Sequence, residues 1–305
     1  MPIGTLHKLD KVLLPGPLSI CNLTNQRITA GIEMMLEKPA GHPYDMFAAI
    51  MRQRPKVEFS TPQLATILGL VPVSGASLAA STFYLKKAAV IANVARATTG
   101  HKKLVANASV AYWTQIRLPH NGKGEIQVVM CTVYDGTNAP LVYTGSVALN
   151  GNLTSSEYFG AGPVSINGVE VPGIQEITIQ SGIQLFEDGA SSEIYDTFVG
   201  VETAGVTVTI QTKEMTNWGV LGLNGVALDG TDGLEFYARA YKNEDSRYSN
   251  ASTEHIYGKA IRGMAIPQDT NGDGASPLTD TLQVQCISPS DSTLPLVFTT
   301  GVAIP

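Results

Sequence analysis

Charge is the first thing this chain has little of. Asp, Glu, Lys and Arg make up 15% of its 305 residues, against about 25% in ordinary soluble domains. Twenty basic and 26 acidic side chains leave a net charge of −6, the wrong sign for gripping phosphate backbones by counterion release, so tight nucleic-acid binding is not expected. Cysteine is scarce as well: Cys21, Cys131 and Cys286 are odd in number, far apart and set among apolar neighbours. That argues against a disulfide framework or a thiolate metal site, and predicts reduced, buried thiols and synthesis in a cytoplasm. Long apolar runs are missing. The run Val12, Leu13, Leu14 is cut by Pro15 and Pro17, so no signal peptide is expected. Residues 88–97 carry Asn93 and Arg96 and fall short of the ~18 residues a membrane span needs, so neither a membrane partner nor an insoluble chain is expected.

Catalytic signals are also sparse. His7, His42, His101, His120 and His255 show no ligand spacing and no repetition at the offsets given below, which predicts ordinary surface or loop residues. Residues 100–103 miss the phosphate-loop spacing, and residues 219–225 lack G-x-G-x-x-G. No enzyme and no organic cofactor are expected.

What the chain does have is self-similarity. Residues 28–47 align without gaps on residues 179–198, an offset of 151 (179 − 28) that superposes Gly31 on Gly182 and Tyr44, Asp45 and Phe47 on Tyr195, Asp196 and Phe198. Three further windows follow in the same order: residues 16–20 on 162–166, 83–84 on 236–237 and 140–144 on 295–299, at offsets of 146, 153 and 155. At the last offset Cys131 falls on Cys286, which predicts a shared core role. The boundary is expected at the turn-forming cluster 150–152, giving two copies of one domain, 1–150 and 151–305.

Each copy is expected to be mainly β, a sandwich or barrel with one short helix. Alternating β-branched and aromatic runs at 56–60, 205–211 and 234–241 predict strands, and Asn/Gly/Asp clusters separate them. Thr61 as a cap, Pro62 at the first helical position and Gly69 at the end predict a helix, with residues 212–219 as its second copy. Residues 81–96 read as a strand, with a helix as the open alternative.

One stretch has a metal pattern. Asp269, Asn271, Asp273 and Asp280 stand at positions 1, 3, 5 and 12 of a calcium-type loop, with Gly274 at position 6. Position 12 is Asp rather than Glu, helices are not evident on either side, and the same residues serve equally as a solvated hairpin turn. The sequons at Asn22, Asn107, Asn152 and Asn250 matter only in a secreted protein. The Tyr-Asp-x-Phe element (Tyr44, Asp45, Phe47; Tyr195, Asp196, Phe198) has two readings: a core aromatic pair with a turn-capping Asp, or a subunit contact shared with Glu187, Asp188 and Glu193 in the preceding loop.

The stretch 182–199, followed by a strand at 206–211 and a short helix, resembles the major tail tube proteins of long-tailed, siphovirus-like bacteriophages. The likeness covers about a third of each copy. It implies a β-sandwich or small barrel with one helix, rings stacked into a tube, and a long loop reaching the neighbouring ring. Members carrying the domain twice form homotrimeric rings of pseudo-sixfold symmetry. On that likeness the expected role is a virion structural protein whose partners are itself, other tail proteins and DNA passing through the lumen without specific binding. Low charge suits it, because ring closure and stacking cover surface a monomer would have to charge, and an acidic lumen does not hold DNA. The first copy departs from the pattern at residues 38–43, where the second is acidic. Two other readings stay open: a double-barrel viral capsid protein built of pseudo-hexameric trimers, and a calcium-dependent binding or glycan-processing module centred on residues 269–280.

Overall fold

Leu234, Phe236, Ala238 and Ala240 alternate with Glu235, Tyr237 and Arg239, and only the first set is buried. That period of two recurs along the chain and makes it a protein of sheets. A computed structural model describes residues 6–16, 18–88, 95–149, 151, 153, 157–190, 193–214, 224–241, 247–271 and 278–305. The first half contains β1 (Leu6–Leu14), β2 (Leu18–Ile20), β3 (Thr24–Thr29), β4 (Ile32–Glu37), β5 (Phe47–Gln53), β6 (Lys56–Thr61), β7 (Ala76–Leu78), β8 (Ser81–Ala88), β9 (His101–Ala106), β10 (Ala108–Pro119), β11 (Glu125–Val133) and β12 (Leu141–Val147). The second half contains β13 (Phe159–Ile166), β14 (Val169–Glu170), β15 (Ile174–Gln180), β16 (Gln184–Asp188), β17 (Phe198–Thr203), β18 (Thr207–Thr212), β19 (Val226–Ala227), β20 (Leu234–Ala240), β21 (His255–Ala260), β22 (Gly263–Asn271), β23 (Thr279–Cys286) and β24 (Val297–Val302). One helix, α1 (Leu64–Leu70), is found among the described residues.

Every sheet is antiparallel. One five-stranded sheet runs β12-β9-β8-β1-β2, another β24-β21-β20-β13-β14, and a ten-stranded sheet runs β19-β22-β23-β18-β15-β10-β11-β6-β3 with β7 also on β10. Two hairpins, β4–β5 and β16–β17, stand outside them. Nine pairings join strands of the first half and nine join strands of the second, and adding twelve to each strand number converts one set into the other. The remaining pairing, β10 with β15, crosses from one half to the other. Side chains of the five-stranded sheets, such as Phe83 and Phe236, and of the central sheet, such as Phe59, Trp113 and Val284, share one hydrophobic core. Phe298 lies edge-on to both Phe236 and Trp113, at 6.0 and 6.1 Å, so the core is continuous across the halves.

Registers sharpen the correspondence. In β4–β5, Glu33 faces Arg52, Met35 faces Ala49 and Glu37 faces Phe47; in β16–β17, Gln184 faces Thr203, Phe186 faces Gly200 and Asp188 faces Phe198. All six residues are displaced by 151 (184 − 33, for example). Gly31 and Gly182, at φ 57° and 59°, open these hairpins, and a Cβ there would stand 2.1 Å from the Arg54 carbonyl oxygen or 2.4 Å from that of Gly205. Only glycine fits that approach.

Three sequence expectations need correction. Residues 162–166 lie in β13, whose counterpart is β1, whereas residues 18–20 form β2, so the window at offset 146 does not share a place in the fold. Cys131 and Cys286 are not counterparts either. Met130 faces Val57 and Val284 faces Val208, so the displacement from β11 to β23 is 154 (284 − 130), and Cys286 corresponds to Thr132. A slip of one residue turns a strand side chain to the other face. Finally, α1 begins at Leu64 rather than at Pro62. Thr61 ends β6, where its hydroxyl donates to the Cys21 carbonyl at 3.0 Å, and the first helical turn is met instead by Glu157, which accepts from Ala65 N at 3.1 Å and Thr66 Oγ1 at 2.6 Å. Residues 81–88 form a strand; 89–94, and 215–219 of the second expected helix, lie outside the described residues.

Candidate assembly surfaces

The junction between the halves is built from ordinary ladder pairing plus charge. β10 sets Gln115 against Gln180, Ile116 against Ile179 and Arg117 against Thr178. Arg117 clasps Glu176 through two hydrogen bonds, Nε at 2.9 Å and Nη2 at 2.7 Å. This fork lowers the Glu176 carboxyl below its ordinary range and raises the Arg117 guanidinium.

The hairpin β16–β17 adds a second contact, lying over the outer face of the first half. Asp196, 4% exposed, accepts from Arg52 Nε at 2.5 Å and lies 3.2 Å from Arg54 Nε. Glu187 meets Lys56 Nζ at 2.6 Å, and its carbonyl accepts from Arg52 Nη2 at 2.6 Å. The Arg54–Asp196 and Lys56–Glu187 contacts lie off hydrogen-bonding angles and act as ion pairs. The Asp196 hydrogen bond raises the Arg52 guanidinium above its ordinary value. Backbone bonds join in, from Gln53 N to Ile194 O at 2.6 Å and from Tyr134 N to Asp196 O at 2.9 Å, and the Tyr134 and Tyr195 rings pack 5.5 Å apart. On this outer face Cys131 is buried, and burial pushes its thiol up to about 12.

β3, the counterpart of β15, ends the central sheet on one side, and β22, the counterpart of β10, stands next to the other end, where β19 pairs with it only at Met264 and Ala265 among the described residues. Ile179, under β10, is fully buried; its counterpart Ile28, on the open edge, is 39% exposed. The hairpin counterpart differs in the same direction: Met34, Met35, Leu36, Met46, Phe47 and Met51 of the β4–β5 unit are all exposed.

The Tyr-Asp-x-Phe element therefore occupies two environments. Tyr195 and Asp196 are engaged inside the chain by the contacts above, while Tyr44, 73% exposed, and Asp45 face outward. Neither Phe47 nor Phe198 is a core residue; both are exposed, and Asp196 binds arginines rather than capping a turn. Glu187 is in the charged cluster, and Asp188 and Glu193 are exposed on the same hairpin. The sequence reading missed the other half of that cluster. Arg52, Arg54 and Lys56 alternate, which places three cations on one face of an extended chain, and that spacing was the available signal.

The residues of the calcium-type pattern lie at a β-hairpin. Asp269 is exposed in β22, Asn271 ends that strand, and Asp280 is buried in β23 with Oδ1 accepting from Thr270 Oγ1 at 3.3 Å. Asp273 lies outside the described residues. Among the described residues no three His, Cys, Asp or Glu side chains converge as metal ligands.

Two histidines are not surface residues. His101 and His255, both fully buried, open β9 and β21 and are displaced by 154 (255 − 101). Each accepts a backbone N–H at Nδ1, from Lys87 at 2.9 Å or Ala240 at 3.0 Å. Each therefore carries its proton on Nε2, which donates to a carbonyl six residues earlier, Ala95 at 3.0 Å or Ser249 at 2.9 Å. They are matched latches that tie a loop to a strand. All three cysteines are free and buried, and no described helix is long and apolar enough to cross a membrane. No protein-family model matches the chain, and comparison with curated proteins returned no match.

Proposed function

We propose that the chain is a virion structural protein, the major tail tube subunit of a siphovirus-like phage, and that its work is to join copies of itself head to tail. The observation that carries this reading is the β10–β15 junction: it unites two strands whose counterparts lack that pairing among the described residues, β3 at one end of the same sheet and β22 near the other, where β19 takes only Met264 and Ala265. A contact of this kind between unlike surfaces, repeated from chain to chain, generates a ring where the rotation closes and a filament where it does not. The two halves, 1–150 and 151–305, act as duplicated domains, so three chains make a homotrimeric ring of pseudo-sixfold symmetry. Applied between chains, displacements of 154 and 151 turn the pair Gln115–Gln180 into Asp269 opposite Thr29, and Ile116–Ile179 into Thr270 opposite Ile28. The open edges would then be removed, as an aggregation-safe β protein requires. The low charge content and the likeness of residues 182–199 to tail tube proteins support the stacked-ring version, in which DNA passes through an unreactive lumen.

Negative-stain electron microscopy of the purified protein tests the reading. Rings or tubes with apparent sixfold symmetry are expected. Closed shells would put the chain with the double-barrel capsid proteins, and a monomer at high concentration would end the proposal.

A further inference from the structure

The two halves share a topology but not a surface, and the difference is organised. Inside the chain an acidic hairpin, β16–β17, covers a cationic seat made by Arg52, Arg54 and Lys56. At the displacement of 151 those cations become Thr203, Gly205 and Thr207, and Glu187 becomes Leu36. Those four positions carry no charge, and of the two carboxylates in the cluster only Asp196 has a charged counterpart, Asp45. Beside Gln283 and Gln285 of β23, what stands there instead is apolar and, among the described residues, exposed. The outer face of β22–β23 presents Met264 and Ile266, with Ile287 just beyond, 41%, 38% and 54% exposed. The counterpart of Met264 is Val110, displaced by 154, and it is 8% exposed. Opposite chemistry would be expected if these faces were meant for water, since exposed Met, Ile and Leu gathered on one hairpin and one sheet face cost solubility unless they are covered.

We infer that the β4–β5 hairpin of one copy of this chain seats on the β22–β23 face of a second copy, forming an apolar seam that alternates around the assembly with the charged seam inside each chain. The seating rests on the head-to-tail arrangement proposed above. The occupant is a second copy because the chain already holds the same hairpin-on-sheet contact once, in continuity with the β10–β15 junction. The two seams also reject each other's partners. An acidic hairpin placed on the Met264 face would lose its cations, and the β4–β5 hairpin placed on the cationic seat would set Leu36 against Lys56 where Glu187 stands, so register around the ring is fixed by mismatch as much as by fit.

The test moves the charged chemistry into the apolar seam. Leu36→Glu puts a carboxylate where no cation waits, and Leu36→Glu with Thr207→Lys rebuilds the counterpart of the Lys56–Glu187 pair. Leu36 is exposed, and Thr207 is half-buried with its hydroxyl donating to Gln285 Oε1 at 3.0 Å, so thermal melting of the unassembled Leu36→Glu variant should match the parent, and Thr207→Lys alone serves as the control for the lost hydrogen bond. Sedimentation velocity should show the single variant needing at least about tenfold more protein for half assembly, and the double variant recovering assembly that is now weakened by salt. Parent-like assembly by Leu36→Glu, or no recovery in the double variant, overturns the seating. A parent chain that never assembles overturns the head-to-tail arrangement itself, so the two failures are told apart by the parent alone.

Discussion

The hairpins β4–β5 and β16–β17 share a residue-by-residue register and a glycine at the base, β4–β5 being longer by one pair, yet one is docked and the other is exposed along its length beyond the base. The second half spends its copy on the chain's own first half, through Asp196 and Glu187. The first half offers Leu36, Met34 and Met35 to solvent. Backbone geometry is thus common to the two, and side-chain chemistry decides what each is for. Under the proposed head-to-tail arrangement, one copy of the contact is satisfied internally and the other is left for a neighbour.

The widest gap between the hairpins should appear at their shared aspartate. Asp196→Ala leaves Arg52 and Arg54 facing an empty, largely buried position, and urea unfolding should report a loss of about 2 to 3 kcal/mol. Cys131 should become reactive to a thiol reagent at the same time, since the hairpin that covers its face is released. Asp45→Ala, at the exposed counterpart, should stay within about 0.5 kcal/mol of the parent in the monomer. Equal costs at the two positions would erase the contrast.

Where the halves are alike, their variants should be alike. His101→Ala and His255→Ala each strand a buried backbone N–H and a carbonyl, and each should cost about 2 kcal/mol. A large cost at one and none at the other would mean that the two latches are not the same device.

The smallest effect belongs to Arg117 and Glu176 at the junction. The folded carboxyl titrates below its unfolded value, so the pair stabilises the protein fully above the ordinary carboxylate range, and that contribution disappears as pH falls through the folded value. Because the Arg117 side chain is 62% exposed, the loss should stay under about 1 kcal/mol. Melting temperature against pH should therefore fall slightly less steeply in acid for Glu176→Gln than for the parent.

Much of this was legible in the residues. Alternation gave the sheets, and the gapless match of residues 28–47 with 179–198 gave the paired hairpins. The misreadings share a physical cause. Gly, Pro, Ser and Ile recur in many strands, so the match of residues 16–20 with 162–166 was one of composition. In β11 the displacement is 154 rather than 155, and in a strand one residue exchanges inside for outside, which is how Cys131 was set against Cys286. The matched histidines escaped because a latch is defined by backbone groups on other strands, and their neighbours in sequence are unlike. The charged cluster joins Arg52 to Asp196, 144 residues apart, a distance over which no local pattern speaks.

The central claim is that the open edges repeat the internal junction, and a designed disulfide asks that directly. Thr29→Cys and Asp269→Cys, placed in one chain, become cross-strand neighbours only between chains, at a separation antiparallel pairs provide. Under mild oxidation a non-reducing gel should show covalent oligomers for the double variant and none for either single variant, the three native thiols being buried. Assemblies that form normally while the double variant stays monomeric on that gel would contradict the account.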